Sequence, residues 1–169
     1  RKRVYYFSLE FMIGRLLFDA LGNLGVTEMA RAALRDLGVD LDRLRKLEPD
    51  AAVGNGGLGR HADCSMESMA TRGIPAHGYG IRYEFGIFDQ ELRNGWQVER
   101  TDRWLRLGNP WEIRRWDIEH SVGFGGRTEH SRDERGRHRA RWVPERVVRG
   151  VPYDTPVLGY GTNNANFLR

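Results

Sequence analysis

Four glycines within six residues mark the part of this chain best suited to chemistry. The run is Gly54-Asn55-Gly56-Gly57-Leu58-Gly59-Arg60, and a helical pattern follows it over residues 58–71. Glycines let the backbone approach a ligand closely, and a helix that begins there leaves backbone N–H groups without partners. Such groups, together with the positive end of the helix dipole, favour an anion. We therefore predict a phosphate-binding loop.

The same letters also satisfy the dinucleotide-binding pattern G-x-G-x-x-G, so the loop leaves more than one class of protein open. A dinucleotide site requires a strand in front and an acidic residue about twenty positions beyond the last glycine. Pro49 and its acidic neighbours instead indicate a helix end and a loop, and Glu84 lies in a run that resembles a strand interior. We favour the phosphate loop; a simple tight turn is the other alternative.

The elements that must position this loop change character once along the chain. Residues 4–9 resemble a strand, residues 14–72 carry helical periodicity with a short charged helix over 40–47, and the loop helix is expected to end near Gly73. Turns are predicted at residues 123–126 and 133–136. Predicted strands follow at residues 79–88, 96–99, 112–122, 127–130, 139–149 and 155–157. The pattern predicts an α/β domain, helix-rich over 1–73 and strand-rich over 74–169, with a β elaboration.

Composition is that of an ordinary globular domain. The 169 residues are 40% hydrophobic and 11% aromatic, with a net charge of +4. The bases are almost all arginine, since only Lys2 and Lys46 are lysines. Arginines concentrate over residues 132–149, but Trp142 is the one aromatic among them, which favours a solvated hairpin over a nucleic-acid surface.

One cysteine, Cys64, excludes an intramolecular disulfide and the zinc spacings, and it fits a reducing cytoplasm. No apolar run approaches the roughly eighteen residues of a membrane span, and no signal peptide is visible. The chain opens on Arg1 and closes at Arg169 without a tail, so we expect a fragment of a longer protein.

Six blocks of sequence, in order, resemble the α-glucan phosphorylases, the family of glycogen, starch and maltodextrin phosphorylases. Together they cover nearly the whole chain, which makes the resemblance far more specific than the glycine loop alone. The blocks are residues 4–11 with Gly14-Arg15, residues 48–60, Ser68-Met69-Ala70-Thr71, residues 78–88, residues 104–106 with 108–112, and Pro152-Tyr153-Asp154-Thr155-Pro156.

The resemblance implies part of the N-terminal Rossmann-like domain of a GT-B glycosyltransferase fold. It implies an enzyme that cleaves the terminal α-1,4-glucosidic bond of glycogen, starch or maltodextrin with inorganic phosphate, releasing glucose 1-phosphate. Family members are commonly homodimers and hold pyridoxal 5′-phosphate on a lysine of their C-terminal domain. Neither Lys2 nor Lys46 suits that role, so the chain alone is expected to be inactive and to contain no catalytic residue.

By the same resemblance, Gly56, Gly57 and Leu58 are placed at the active site, with their backbone amides facing phosphate or the glucosyl ring. Asn55, Arg60 and Glu10 are expected to support the loop, Arg60 through Glu10 or Asp50.

The chain departs from the family pattern just after the loop, at His61-Ala62-Asp63-Cys64-Ser65. A metal site is disfavoured there because His61 and Asp63, two residues apart on a helix, face different ways. Arg72 and His77 also depart from the pattern and are expected to weaken packing under the loop helix.

Several alternatives stay open. The tryptophans Trp96, Trp104 and Trp111 could stack against sugar rings, although packing within the protein is favoured. Glu10 and Glu84 could form the pair of catalytic carboxylates of a hydrolase, although ion pairs with the nearby arginines Arg15 and Arg82 are favoured. The other protein classes are a nucleotide-sugar glycosyltransferase and a non-catalytic glucan-binding module.

Overall fold

A computed structural model describes residues 2–169, and these form two compact units. The first unit joins residues 2–113 to Tyr153–Arg169, and the second is Arg114–Pro152. Among the described residues there are four helices, all in the first unit: α1 (Leu17–Asn23), α2 (Thr27–Asp36), α3 (Leu41–Leu47) and α4 (Gly56–Thr71). The predicted helical region is confirmed. The loop helix α4 begins at Gly56, two residues earlier than predicted.

The first unit is built on a mixed sheet, with strands β1 (Val4–Phe7), β2 (Ala76–Tyr79), β5 (Ile113–Arg114), β10 (Tyr153–Leu158) and β11 (Ala165–Leu168) in the order β1-β2-β11-β10-β5. Strand β2 is parallel to both β1 and β11, whereas β10 and β11 are antiparallel. This arrangement confirms a mixed α/β class.

Helix α4 packs on one face of this sheet and forms the core with it. Ala62 and Met66 of the helix are completely buried, and Ala76 and Leu168 of the strands are nearly so. Phe11, which follows β1, belongs to the same apolar cluster, as do Val53 and Val157. Val53 directly precedes the glycine loop and Phe11 N donates to its carbonyl, so two residues of the core lie next to the start of the loop.

The predicted strand over residues 79–88 is wrong beyond Tyr79. Residues 80–88 run irregularly before a hairpin of β3 (Asp89–Arg93) and β4 (Trp96–Arg100). Strand β3 was not predicted, although Asn94 and Gly95, both with positive φ, are the residues that a tight hairpin turn prefers. The predicted strand over 112–122 is likewise wrong over residues 115–119, which separate β5 from the next strand.

The second unit is a pair of nested hairpins. Strands β6 (His120–Phe124) and β9 (Arg146–Gly150) pair around β7 (Arg127–Arg132) and β8 (His138–Val143). The predicted single strand over residues 139–149 is therefore two strands, interrupted at Pro144 and Glu145. The predicted turn at 133–136 is confirmed, since Gly136 N donates to the carbonyl of Asp133 at 2.8 Å.

Candidate functional site

The glycine loop leads directly into the first turn of α4. Asn55 is the N-cap in extended conformation, and its carbonyl accepts from Gly59 N at 3.3 Å. The side chain of Asn55 makes no capping hydrogen bond. The N–H groups of Gly56, Gly57 and Leu58 have no partner within the helix, because the first turn of a helix has none to offer. Three backbone donors are thus brought together at the positive end of a sixteen-residue helix.

The chain segment after β1 fixes the position of the loop. Phe11 N donates to the carbonyl of Val53 at 2.8 Å, and Met12 N donates to the carbonyl of Gly59 at 3.0 Å. Gly54 has φ +149, and a Cβ there would lie 2.4 Å from Phe11 N and 2.6 Å from Cα of Glu10. Only glycine can occupy this position, so Gly54 is required by the approach of two backbones.

Gly57 differs from Gly54, because no contact within the chain excludes a side chain at this position. A Cβ at Gly57 would have no neighbour within 4 Å. The residue is exposed and has an ordinary helical φ. The absence of a side chain therefore leaves open space on the surface of the first turn, beside the free N–H groups.

The expected partners of Arg60 are wrong. Its Nη1 lies 3.3 Å from Oδ2 of Asp63 and 3.5 Å from the carbonyl oxygen of Met12. Asp50 instead lies 3.7 Å from Arg15. Arg60 therefore contacts the Met12 segment and a residue of its own helix, since Asp63 is one turn away on the same face.

Glu10 lies against the loop at Gly54. Its Cα and Cβ pack against Gly54, and its N–H and carbonyl both bond to the hydroxyl of Ser8. Its expected pairing with Arg15 is wrong, as is the pairing of Glu84 with Arg82, which binds Glu112.

Asp63 is the one acidic residue of α4 that is buried. Its side chain is 10% exposed, whereas that of Arg60 is 59% exposed. Burial raises the pKa of Asp63 to about 6; Arg60 lowers it, and the charges of Glu67 and Asp19 raise it further. The carboxyl group lines a polar cavity of about 680 Å³. The departure from the family pattern marked Asp63 as unusual. It did not indicate that its side chain would be buried or would pair with Arg60.

The other departures from the family pattern lie away from the packing under α4. His61 Nδ1 lies 3.3 Å from the hydroxyl of Tyr6, so it points away from Asp63, in agreement with their helical spacing. Arg72 is exposed at the C-cap, where a cation suits the helix dipole. His77 stacks on Tyr5, outside the apolar cluster that α4 covers. The expectation that Arg72 and His77 weaken this packing is therefore wrong.

One positioning residue, Glu48, had no clear signal in the sequence. The carboxylate of Glu48 accepts from Leu16 N, Leu17 N and the indole Nε1 of Trp111, at 2.9, 3.1 and 2.9 Å. It therefore caps α1 from a distant part of the chain. Trp104 is buried and donates to the carbonyl of Tyr83, which supports packing over sugar stacking for this residue.

The two lysines lie on the surface. Lys46 is exposed on α3, and Lys2 is exposed before β1. Within residues 2–169, no lysine is thus both buried and next to the loop. No helix within these described residues has the length and apolar character needed to cross a membrane.

Comparison with known proteins places this site in context. The family model described as carbohydrate phosphorylase matches residues 34–169. The chain is 53% identical to a glycogen phosphorylase of Synechocystis over 166 residues, 98% of this chain and 20% of that protein. It is 52% identical over 168 residues both to a glycogen phosphorylase of Chlamydia trachomatis and to the human brain form, covering 99% of this chain and 21% and 19% of those proteins. The chain thus spans about a fifth of the length of these curated relatives.

Proposed function

Because the chain belongs to the carbohydrate phosphorylase family, we propose that it forms part of an α-glucan phosphorylase, within the N-terminal domain of a GT-B fold. Such an enzyme uses inorganic phosphate to cleave the terminal α-1,4-glucosidic bond of a glucan at its non-reducing end, and it releases glucose 1-phosphate. The chain's part in this reaction is to bind and orient; the bond-breaking chemistry needs groups outside these residues.

The observation that carries the proposal is the start of α4. Gly56, Gly57 and Leu58 present three N–H groups without helical partners, and the space before Gly57 is open. A phosphate oxygen can approach these donors closely, and the helix dipole stabilises its negative charge. Donors held in place by the core need no rearrangement when charge develops during the reaction.

We also propose pyridoxal 5′-phosphate as the cofactor, with its lysine outside this chain. The donors at the start of α4 suit a phosphate group, whereas neither Lys2 nor Lys46 can hold the cofactor beside them. When bound, the cofactor would supply a second phosphate group that exchanges a proton with the substrate phosphate. The resemblance supports a homodimer, and the single, exposed Cys64 is compatible with the cytoplasm.

The direct test is an assay of the full protein that carries these residues. With a linear α-1,4-glucan, glucose 1-phosphate is expected to form in proportion to added phosphate, and the 169-residue chain alone is expected to form none. Release of glucose or maltose without phosphate would identify a hydrolase. Transfer of glucose from a nucleotide sugar would identify the alternative glycosyltransferase.

Two alanine variants test the role of the loop. Gly57→Ala places a methyl group in front of the N–H donors and is expected to raise KM for phosphate about tenfold or more. Gly22→Ala is the matched control, because Gly22 also lies in a helix, has an ordinary φ and has no neighbour within 4 Å of an added Cβ. Equal values of KM for phosphate in the two variants would show that the loop is not part of the active site.

A further inference from the structure

Gly57, Arg60 and Asp63 lie along one stripe of α4, because residues three apart are neighbours on the surface of a helix. The guanidinium of Arg60 lies 3.3 Å from Asp63, one turn toward the C-terminus, and 3.5 Å from the Met12 carbonyl. The contact with Asp63 holds it away from the start of the helix, where the free N–H groups are, and the longer contact with Met12 reaches the segment after β1.

The direction of the Arg60 side chain matters because helical Cα–Cβ bonds tilt toward the N-terminus of the helix. Without a partner at position 63, the side chain would extend over Gly57, about 4.5 Å back along the axis. Apart from its chain neighbours and the backbone of α4, nothing lies within 4 Å of the position where a Cβ of Gly57 would stand, so there is room for a side chain at this point. A guanidinium there would add a full positive charge to the site.

The surroundings of Asp63 make its charge easy to remove. Asp19 of α1 and Glu67 of α4 both oppose its ionisation, and Arg60 alone among the groups that act on it favours ionisation. The apolar residues 156–158 of β10 line the same cavity. The other charged residues that line it are Arg15, Arg45, Glu48 and Asp50.

We propose that Asp63 is a positioning residue that acts through Arg60: its carboxylate holds the guanidinium along the helix, and loss of that negative charge frees the guanidinium to reach the phosphate site. The Asp63–Arg60 pair thus sets the phosphate affinity of the loop and makes it depend on pH. This inference rests on the proposed function in one respect: it assumes that the anion bound at the start of α4 is the substrate phosphate.

The test measures KM for phosphate in the full protein, for the wild type and for Asp63→Asn, Arg60→Gln and the double variant. At about pH 8, Asp63→Asn is expected to lower KM roughly two- to fivefold, the effect of moving the positive charge of Arg60 closer to the anion. The variant-to-wild-type ratio cancels the titration of phosphate itself and is expected to approach one below about pH 6.

In the Arg60→Gln background, the substitution at Asp63 is expected to have a much smaller effect, because the side chain through which it acts is gone. Glu67→Gln is the matched control: Glu67 lies on the same helix and lines the same cavity, but makes no ion pair with Arg60. This control is expected to leave KM unchanged at about pH 8.

Equilibrium binding of inorganic phosphate, followed by ³¹P NMR in the same variants, separates this inference from the proposed function. If phosphate binding changes among the variants as expected but no phosphorolysis occurs, the role of the Asp63–Arg60 pair in phosphate affinity is supported and the proposed phosphorylase activity is rejected. The inference would be overturned, and the proposed enzyme activity retained, if phosphorolysis occurs but Asp63→Asn leaves KM for phosphate unchanged. The same conclusion would follow if Asp63→Asn changes KM equally with Arg60 present and with Arg60 replaced. If the wild type shows neither binding nor phosphorolysis, both are rejected.

Discussion

The guanidinium of Arg82 forms two hydrogen bonds with the carboxylate of Glu112, at 2.8 and 2.6 Å, across 30 residues of chain. The same guanidinium lies 4.1 Å from the ring centre of Tyr153 and 5.5 Å from that of Trp104. One arginine therefore joins four segments of the first unit.

Replacing Arg82 by Gln is expected to lower the free energy of unfolding by about 2–4 kcal/mol, because the nearly buried Glu112 carboxylate loses its partner. Lys in its place is expected to recover only part of this loss, since an ammonium cannot bind both oxygens in a planar fork. Urea unfolding followed by tryptophan fluorescence measures the difference. Arg93→Gln, which breaks an exposed pair with Glu91, is the control and is expected to change stability by less than about 1 kcal/mol. Equal losses at the two positions would contradict this account.

Glu48→Gln is expected to destabilise the start of α1. The substitution keeps the shape of the side chain but removes the negative charge that faces Leu16 N and Leu17 N. A loss of about 1–2 kcal/mol is expected, confined to α1 and the contact with Trp111. Hydrogen exchange should show faster exchange in α1 and unchanged exchange in α4. Glu28→Gln on the exposed surface of α2 is the control, and the same exchange pattern in both variants would show that Glu48 does not cap α1.

Asp63→Asn is expected to stabilise the chain at high pH only. The pKa of Asp63 is raised from 3.8 to about 6, so between these values the folded state binds more protons than the unfolded state, and stability falls as pH rises. The variant lacks this loss and is expected to be about 2 kcal/mol more stable than the wild type at about pH 8, and nearly equal to it at about pH 4. Unfolding at the two pH values measures the difference. A constant difference between the proteins would mean that the carboxyl does not titrate in this window.

Gly54→Ala and Gly57→Ala are expected to act in opposite directions on stability. At Gly54 the added Cβ would meet the backbone of Phe11 and Glu10, and the φ of +149 disfavours any side chain. A loss of about 3 kcal/mol or more is expected. At Gly57 the helix gains alanine without a clash, so stability is expected to rise by about 0.5–1 kcal/mol. Thermal unfolding of both variants tests this, and a large loss at Gly57 would show a contact that the open space does not predict.

The helices could be predicted because their signals are local. Leu17, Leu21 and Leu24 recur at helical spacing, and glycines such as Gly25 and Gly38 end the periodic runs. The start of α4 was missed by two residues, since Gly56 enters the helix with φ +63, a conformation that no periodicity reveals.

The strands were harder to predict for a physical reason. Residues 80–88 are aromatic and β-branched enough to resemble a strand, but Gly86 packs against Asp102 so closely that its added Cβ would overlap the carboxylate. Tertiary contacts of this kind override strand propensity. Pro144 similarly divides what one run of β-formers suggests is a single strand.

The sequence by itself determined the backbone chemistry of the loop, because glycines at positions 54, 56, 57 and 59 permit a close approach wherever the chain folds. Its resemblance to the phosphorylases also identified the family. Only the tertiary structure decided which groups surround that loop. Asp63 became the partner of Arg60 and acquired a raised pKa through burial, and Glu48 became the cap of α1. The Arg60–Asp63 pair follows from local helical spacing, but the cap depends on the distance between remote segments and the raised pKa depends on exclusion of water, and no local pattern of residues contains either.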